Sequence, residues 1–259
     1  MNDYLTYEEI MISSLIGVSG YTIYLNDGSR YNRGVLKLSD DIQYEGIQLG
    51  LVGARFERQG RMDTLYVLDE APHAQSFPFA SYFAGETFEA RYKSRIRITV
   101  ETMLLEAQQR GLEEGKAVYV HVVGLGLGVW AVHEDQPQWY IEVFTKCLAA
   151  LDVSRIDVLE FAWIDVDDTT EEDLEAVASK KGITCLFSRA NPSKKLADDS
   201  LLLVTTYAWD GNAYPGNEYY LGQLTASGDP AAACSTTIAE THNPEINTEM
   251  LKSIHYFKL

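Results

Sequence analysis

The chain has 259 residues, 46% hydrophobic and 23% charged, with a formal net charge of −17 at pH 7. Its length and composition suit a soluble globular protein with a sizeable core. The acidic balance excludes nucleic acid as a partner, because a phosphate backbone is gripped by a basic stripe, and no apolar run approaches the ~20 residues that cross a bilayer, so no membrane partner is expected.

The start, "MNDYLTYEEIMISS", lacks the basic and apolar regions of a signal peptide. Residues 6–18 show mixed helical periodicity. "YTIYLNDGSRYNRGVLKL" (21–38) then reads as a hairpin turned by Asn26-Asp27-Gly28. "GIQLGLVGARF" and "DTLYVLD" read as further short strands, with Arg55 and Arg58 as edge-strand charges or phosphate contacts. Residues 1–80 are thus expected to be a β-rich N-terminal portion packed on the core, and residues 81–259 the α/β core itself. "PHAQSFPFASYFAGE", aromatic and broken by two prolines, marks the boundary.

From about Phe83 to Gly111 the pattern turns helical, with Val100, Met103, Leu104 and Ala107 as its apolar stripe and "RGLEEGK" as its end. The chain then alternates. "AVYVHVVGL" is a strand apolar enough to be buried on both faces, and "QPQWYIEVFTKCLAALD" is an amphipathic helix. "RIDVLEFAWI" is a second buried strand. "TEEDLEAVASKKG" is a helix with Thr169 or Thr170 as N-cap and Gly182 as its stop, and its acidic approach "DVDDTTEEDLEA" reads as a solvated first turn. "ITCLFSR" and "SLLLVTTYA" complete a largely parallel mixed sheet in a three-layer α/β/α fold.

Ligands of such sheets gather at the carboxyl ends of the parallel strands, and two loops there stand out. "VVGLGLGVW" (122–130) has glycines at alternate positions, which suits either a phosphate cradle or a turn packed for shape. It matches neither the dinucleotide fingerprint nor a Walker loop. The second loop follows "SLLLVTTYA" and sets Asp210, Asn212, Asn217 and Glu218 within nine residues. These could grip sugar hydroxyls or supply a general base, and equally are the residues that any tight turn uses. Asp229 of "SGDPAAA" reads as the cap of a helix with Pro230 at its first position, or as an anion site at that helix end.

Other chemistry is sparse. His73, His121, His133, His242 and His255 have no metal-ligand spacing, and His121 on its buried strand reads as a core histidine. Cys147, Cys185 and Cys234, far apart and odd in number, read as reduced thiols, which points to the cytoplasm.

The two loops together carry a resemblance. "VYVHVVGLGLGVW" is similar to the glycine-rich loop that wraps the diphosphate of ADP-ribose in macrodomains. "LLLVTTYAWDGNAYPGNEYY" is similar to their Asn-Ala loop, here in reversed chain order. That order, with "GLVGARFER" upstream and "GNEYY…SGDPAAA" downstream, resembles the MavL-like macrodomain family of bacterial effectors and their eukaryotic relatives, over about Gly46 to Asn247.

The resemblance implies a macrodomain-like fold and hydrolysis of ADP-ribose from modified protein, including arginine-linked ADP-ribose on ubiquitin. It implies that Gly124, Gly126, Leu127 and Gly128, with Val129 beside them, offer N–H groups to the diphosphate. It implies that Asp210 and Asn212, with the adjoining Ala213, hold the distal ribose. Glu218 is placed like the acid of poly-ADP-ribose glycohydrolases, but Pro215-Gly216-Asn217 stands where those enzymes have three glycines. Asp165, at a neighbouring strand end, is a candidate adenine contact. A bacterial effector of this family would work in a host cytosol.

Cleavage at an anomeric carbon passes through an oxocarbenium-like state that a nearby carboxylate stabilises, so no metal or cofactor is called for. Asp210 and Glu218 are the catalytic candidates, and Asp229 could join them through the fold. Two rival readings are an ADP-ribose reader without a competent acid, and an acidic protein-interaction module whose loops are structural.

Overall fold

The computed structural model describes residues 17–29, 32–54, 87–128, 130–209, 214–216 and 228–253. Six strands form its sheet: β1 (Gly17–Ile23), β2 (Glu45–Leu51), β3 (Val118–Val123), β4 (Ile156–Ala162), β5 (Thr184–Ser188) and β6 (Leu202–Ala208). Their order is β1-β2-β6-β3-β4-β5. Only the edge pair β1–β2 is antiparallel. The helices are α1 (Phe88–Glu114), α2 (Gln136–Ala150), α3 (Asp168–Ala178), α4 (Gly228–Ala233) and α5 (Ile238–His242). Helices lie on both faces of this mostly parallel sheet, consistent with the α/β macrodomain-like fold expected from the sequence.

The two faces are covered differently. Alternation along each strand sends Ile47, Leu49, Val118, Val120, Val122, Leu159, Phe161, Leu202 and Val204 to one face. There they meet the buried stripe of α1, including the expected Val100, Met103, Leu104 and Ala107, together with Tyr140, Phe144 and Leu148 of α2 and Leu174 of α3. The Phe144 ring meets Tyr140 and Phe161 edge-on, with centroids 5.1 and 4.9 Å apart, a favoured aromatic geometry. Burying a side chain of this size contributes about 1.5–3 kcal/mol.

The opposite face carries no long helix among the described residues. α4 lies over β6 and α5 over β1, where the His242 ring packs on Gly20 so closely that a Cβ would fall 2.0 Å from Nε2. The segments 24–29, 32–44 and 189–201 also lie on this face, with Tyr24, Ile42, Leu196 and Leu203 as a small apolar cluster.

The expected 21–38 hairpin does not form. The partner of β1 is β2, in the register Gly17↔Leu51 to Ile23↔Glu45. The chain between them makes an excursion in which the Asn26 Oδ1 accepts the Gly28 amide and the Asn26 amide group donates to Val35 O. Gly28 turns there with φ 71°, so the turn residues act as read, but within a loop. Val35, Leu36 and Leu38, read as the return strand, are each at least 60% exposed and pair with no strand.

Helix signals stand closer to expectation. α1 starts after Thr87, whose hydroxyl accepts the Ala90 amide, and ends at Gly115 with φ 65°, the left-handed stop that glycine adopts without strain. α3 starts earlier than expected. Its N-cap is Asp167, whose carboxylate accepts the Thr170 amide at 2.8 Å, because an acid two residues upstream caps as well as threonine does. α4 begins at Gly228, so Asp229 lies within its first turn rather than in front of it.

Candidate functional site

The parallel strands all end at one edge of the sheet, and there β3 and β6 part. Their ladder runs from Val118↔Leu202 to His121↔Thr205 and stops. β3 stays on β4 as far as Val123↔Ala162, and β6 stays on β2 as far as Leu51↔Ala208, with the Trp209 amide continuing to Leu51 O. The glycine loop that follows β3 and the loop that follows β6 therefore leave the sheet from neighbouring strands. Divergence of adjacent strands at their carboxyl ends is the setting in which α/β sheets bind ligands.

Each glycine of the first loop has its own environment. Gly126 has φ 76°, and a Cβ there would press on the Ala54 backbone at 3.0 Å. A Cβ on Gly53 would fall 2.6 Å from the Gly126 nitrogen, so the loop crosses against the chain just past β2 with no room for a side chain. At Gly124 a Cβ would touch the Leu127 side chain. Gly128 is exposed, has an ordinary φ, and a Cβ on it would meet no described residue within 4 Å.

Leu125 anchors the loop in the core. The Leu127 amide donates to Gly124 O within a turn, at 3.3 Å. The Gln136 carboxamide pins the exit by accepting from the amides of Val132 and His133 at 2.6 and 2.8 Å. The amides of Gly126 and Gly128 donate to no other described residue.

The second loop is described in part. Trp209 is buried, and Tyr214-Pro215-Gly216 forms a turn with Gly216 at φ 82°. Asp210, Asn212, Ala213, Asn217, Glu218 and Val129 lie outside the described residues, as do Arg55 and Arg58 and the side chain of Asp229.

At the carboxyl end of β4, Trp163 has φ 61° and is 61% exposed. A side chain held in the left-handed region stores about 1–3 kcal/mol and is commonest at functional sites. The Arg189 guanidinium lies 5.2 Å over the indole and pairs with Asp165. Sequence reasoning singled out Asp165 and passed over Trp163. The available signal was a large aromatic at the exit of a buried strand on the ligand edge.

Below the edge, on the face without long helices, Gln48, Thr205, His121 and Glu160 stand directly opposite one another across four strands. All four are buried. Thr205 donates to Gln48 Oε1 at 2.7 Å and shares a 2.9 Å hydrogen bond with the Tyr24 hydroxyl. The His121 Nε2 lies 3.2 Å from Ala190 O, while its buried Nδ1 has no partner among the described residues. Burial lowers the His121 pKa although the Glu160 carboxylate opposite raises it, so the ring stays neutral. His121 is the core histidine that its strand position suggested.

Cys147, Cys185 and Cys234 are buried and in no disulfide, and desolvation pushes the first two thiols up to about 12, far from a reactive thiolate. Among the described residues no three His, Cys, Asp or Glu side chains cluster as metal ligands, and no helix is long and apolar enough to cross a membrane.

A mixed, mostly parallel sheet with helices on both sides and a glycine-rich loop at its carboxyl edge defines a three-layer α/β protein. The particular family follows from comparison. A model of the ADP-ribosylhydrolase MavL-like family matches residues 1–71 and 68–256. The chain belongs to the MavL-like ADP-ribosylhydrolase family, as the resemblance of the two loops implied.

Two curated relatives from Drosophila melanogaster are ADP-ribosylarginine hydrolase CG3568 and ADP-ribosylarginine hydrolase CG2909. The first is 36% identical over 305 aligned positions, covering 97% of this chain and 59% of the relative. The second is 30% identical over 299, covering 95% and 59%. The chain spans about 59% of the length of these relatives.

Proposed function

We propose that this chain hydrolyses ADP-ribose from arginine on modified protein, at the edge where β3 and β6 part. The observation that carries the reading is that the glycine loop and the Asp210–Glu218 loop leave the sheet from adjacent strands whose ladder has stopped. The names of the two relatives supply the arginine linkage. Ubiquitin as the modified protein rests on the resemblance to the MavL-like family alone.

In this reading the diphosphate lies on the glycine loop, where Gly124, Gly126, Leu127, Gly128 and Val129 supply amides. Among the described residues the amides of Gly126 and Gly128 have no acceptor and a Cβ on Gly128 would meet nothing, which favours it. With Leu127, the ligand would have to displace the turn bond to Gly124 O. Asp210, Asn212, Ala213, Gly216 and Asn217 hold the distal ribose, and the exposed indole of Trp163 receives the adenine ring. Asp229 stands as a further contact.

Asp210 and Glu218 divide the chemistry. One carboxylate activates water and the other steadies positive charge as the glycosidic bond to arginine breaks. The products are ADP-ribose and the restored guanidino group. The chain's own carboxylates suffice for that step, with no metal or cofactor called upon.

Incubation with an arginine-ADP-ribosylated protein tests the proposal. Wild type is expected to release ADP-ribose, and Asp210→Ala and Glu218→Ala each to slow release by at least about a hundredfold, the usual scale of lost acid–base catalysis. Binding of ADP-ribose with no release would make the chain a reader. Neither binding nor release at millimolar ligand would leave only the acidic interaction module.

A further inference from the structure

We propose that Thr206 is a positioning residue, whose hydroxyl holds the base of the glycine loop in its ligand-binding geometry. The inference rests on the ADP-ribose reading above. Past His121↔Thr205 the backbone ladder between β3 and β6 is gone, yet both strands continue. The Thr206 hydroxyl takes over. It donates to His121 O at 3.1 Å and accepts the Val123 amide at 3.0 Å, and the residue is fully buried.

The Val123 carbonyl is held as well, by the Tyr140 hydroxyl at 3.2 Å. Both polar groups of the last β3 residue are thus fixed by side-chain hydroxyls, and the next residue is Gly124. In an unbroken ladder the β6 backbone would supply these bonds whatever the side chain. Where the strands part, residue type decides. Threonine bridges both β3 groups at once, while valine has nearly the same shape and neither bond.

Loss of this bridge leaves the fold's core contacts in place but frees the strand end that sets the direction of the Gly124–Gly128 amides. Those amides meet the diphosphate in ground state and transition state alike, so the effect falls on binding rather than on the bond-breaking step. Glycine-loop position and acid chemistry separate in the kinetics.

Calorimetry with ADP-ribose and steady-state release from an arginine-ADP-ribosylated protein test this, on wild type, Thr206→Val and Thr206→Ser, well below each variant's Tm. Thr206→Val is expected to raise Kd and KM about tenfold with kcat within about twofold, and Thr206→Ser to restore both, since each lost hydrogen bond is worth severalfold in affinity. Faster hydrogen exchange at the Val123 amide should accompany the loss. If Thr206→Val folds, loses only Tm and binds ADP-ribose like wild type, Thr206 is structural and the inference fails.

Should Thr206→Val not fold, Tyr140→Phe removes one hydroxyl from the same strand end. It is expected to weaken ADP-ribose about threefold, and unchanged affinity overturns the inference. A wild type that binds no ADP-ribose brings down the functional reading and this inference together. A wild type that binds normally beside an indifferent Thr206→Val brings down this inference alone.

Discussion

The two faces of the sheet solve burial in opposite ways. Against α1, α2 and α3 the strands present hydrocarbon and aromatic rings. Against the segments 24–29, 32–44 and 189–201 they present Gln48, Thr205, His121 and Glu160 in one register row. Long helices satisfy their own backbone and offer an apolar stripe, so the face they cover can be dry. Connecting segments bring peptide groups that need partners, and the buried polar row meets them, as where His121 reaches Ala190 O. The first face stabilises the molecule through packing, and the second through hydrogen bonds that leave a penalty when half broken.

That contrast can be broken by substitution, and the largest effect is expected on the dry face. Phe144→Ala, removing a fully buried ring between Tyr140 and Phe161, should cost about 3–5 kcal/mol in chemical denaturation. A loss below about 1 kcal/mol would mean that the α2 layer is not the packed core described. On the polar face, Thr205→Val keeps shape but strands Gln48 Oε1 and the Tyr24 hydroxyl without their mutual bridge. The expected cost is about 1–3 kcal/mol. A neutral result would show that the row tolerates replacement by hydrocarbon and that the two faces are equivalent.

The smallest effect separates the faces by pH. His121 is buried with its pKa lowered, so the unfolded chain takes up a proton that the folded one refuses. Stability from the neutral ring is therefore full above the unfolded value of about 6.5 and is lost as pH falls toward the lowered folded value. The slope should reach up to about 1.4 kcal/mol per pH unit for one proton. His242, whose pKa burial and the nearby Arg110 lower, adds in the same direction. His121→Gln should flatten the acid limb of a Tm-against-pH curve by the His121 share. An unchanged curve would place the proton uptake elsewhere.

How much of this was legible in sequence depends on the range of the interactions. β3, β4, β5 and β6 are apolar runs bounded by turn residues, and α1, α2 and α3 carry local stripes and stops, so their existence follows from neighbours in the chain. The hairpin failed because strand pairing is long-range. Tyr21, Ile23 and Leu25 alternate as a strand should, but the strand that β1 meets begins at Glu45. The N-cap of α3 was misplaced because Asp167 and Thr170 carry the same cue within four residues.

At the site, the glycine loop was visible because its spacing is local. Which glycine the protein itself requires was not. Gly126 is forced by its φ and by Ala54, a contact between chain segments more than seventy residues apart, whereas Gly128 is forced by none of the described residues. Thr206 was invisible for the same reason, since "LLLVTTYA" does not say where a ladder with β3 stops.

In the proposed function one edge of the sheet, between β3 and β6, takes ADP-ribose. The most direct test is a crystal structure of the protein with ADP-ribose bound. The diphosphate is expected against the amides of Gly126 and Gly128, with the distal ribose on the loop that carries Asp210 and Asn212. ADP-ribose bound away from the carboxyl ends of β3 and β6, with the glycine loop untouched, would contradict it.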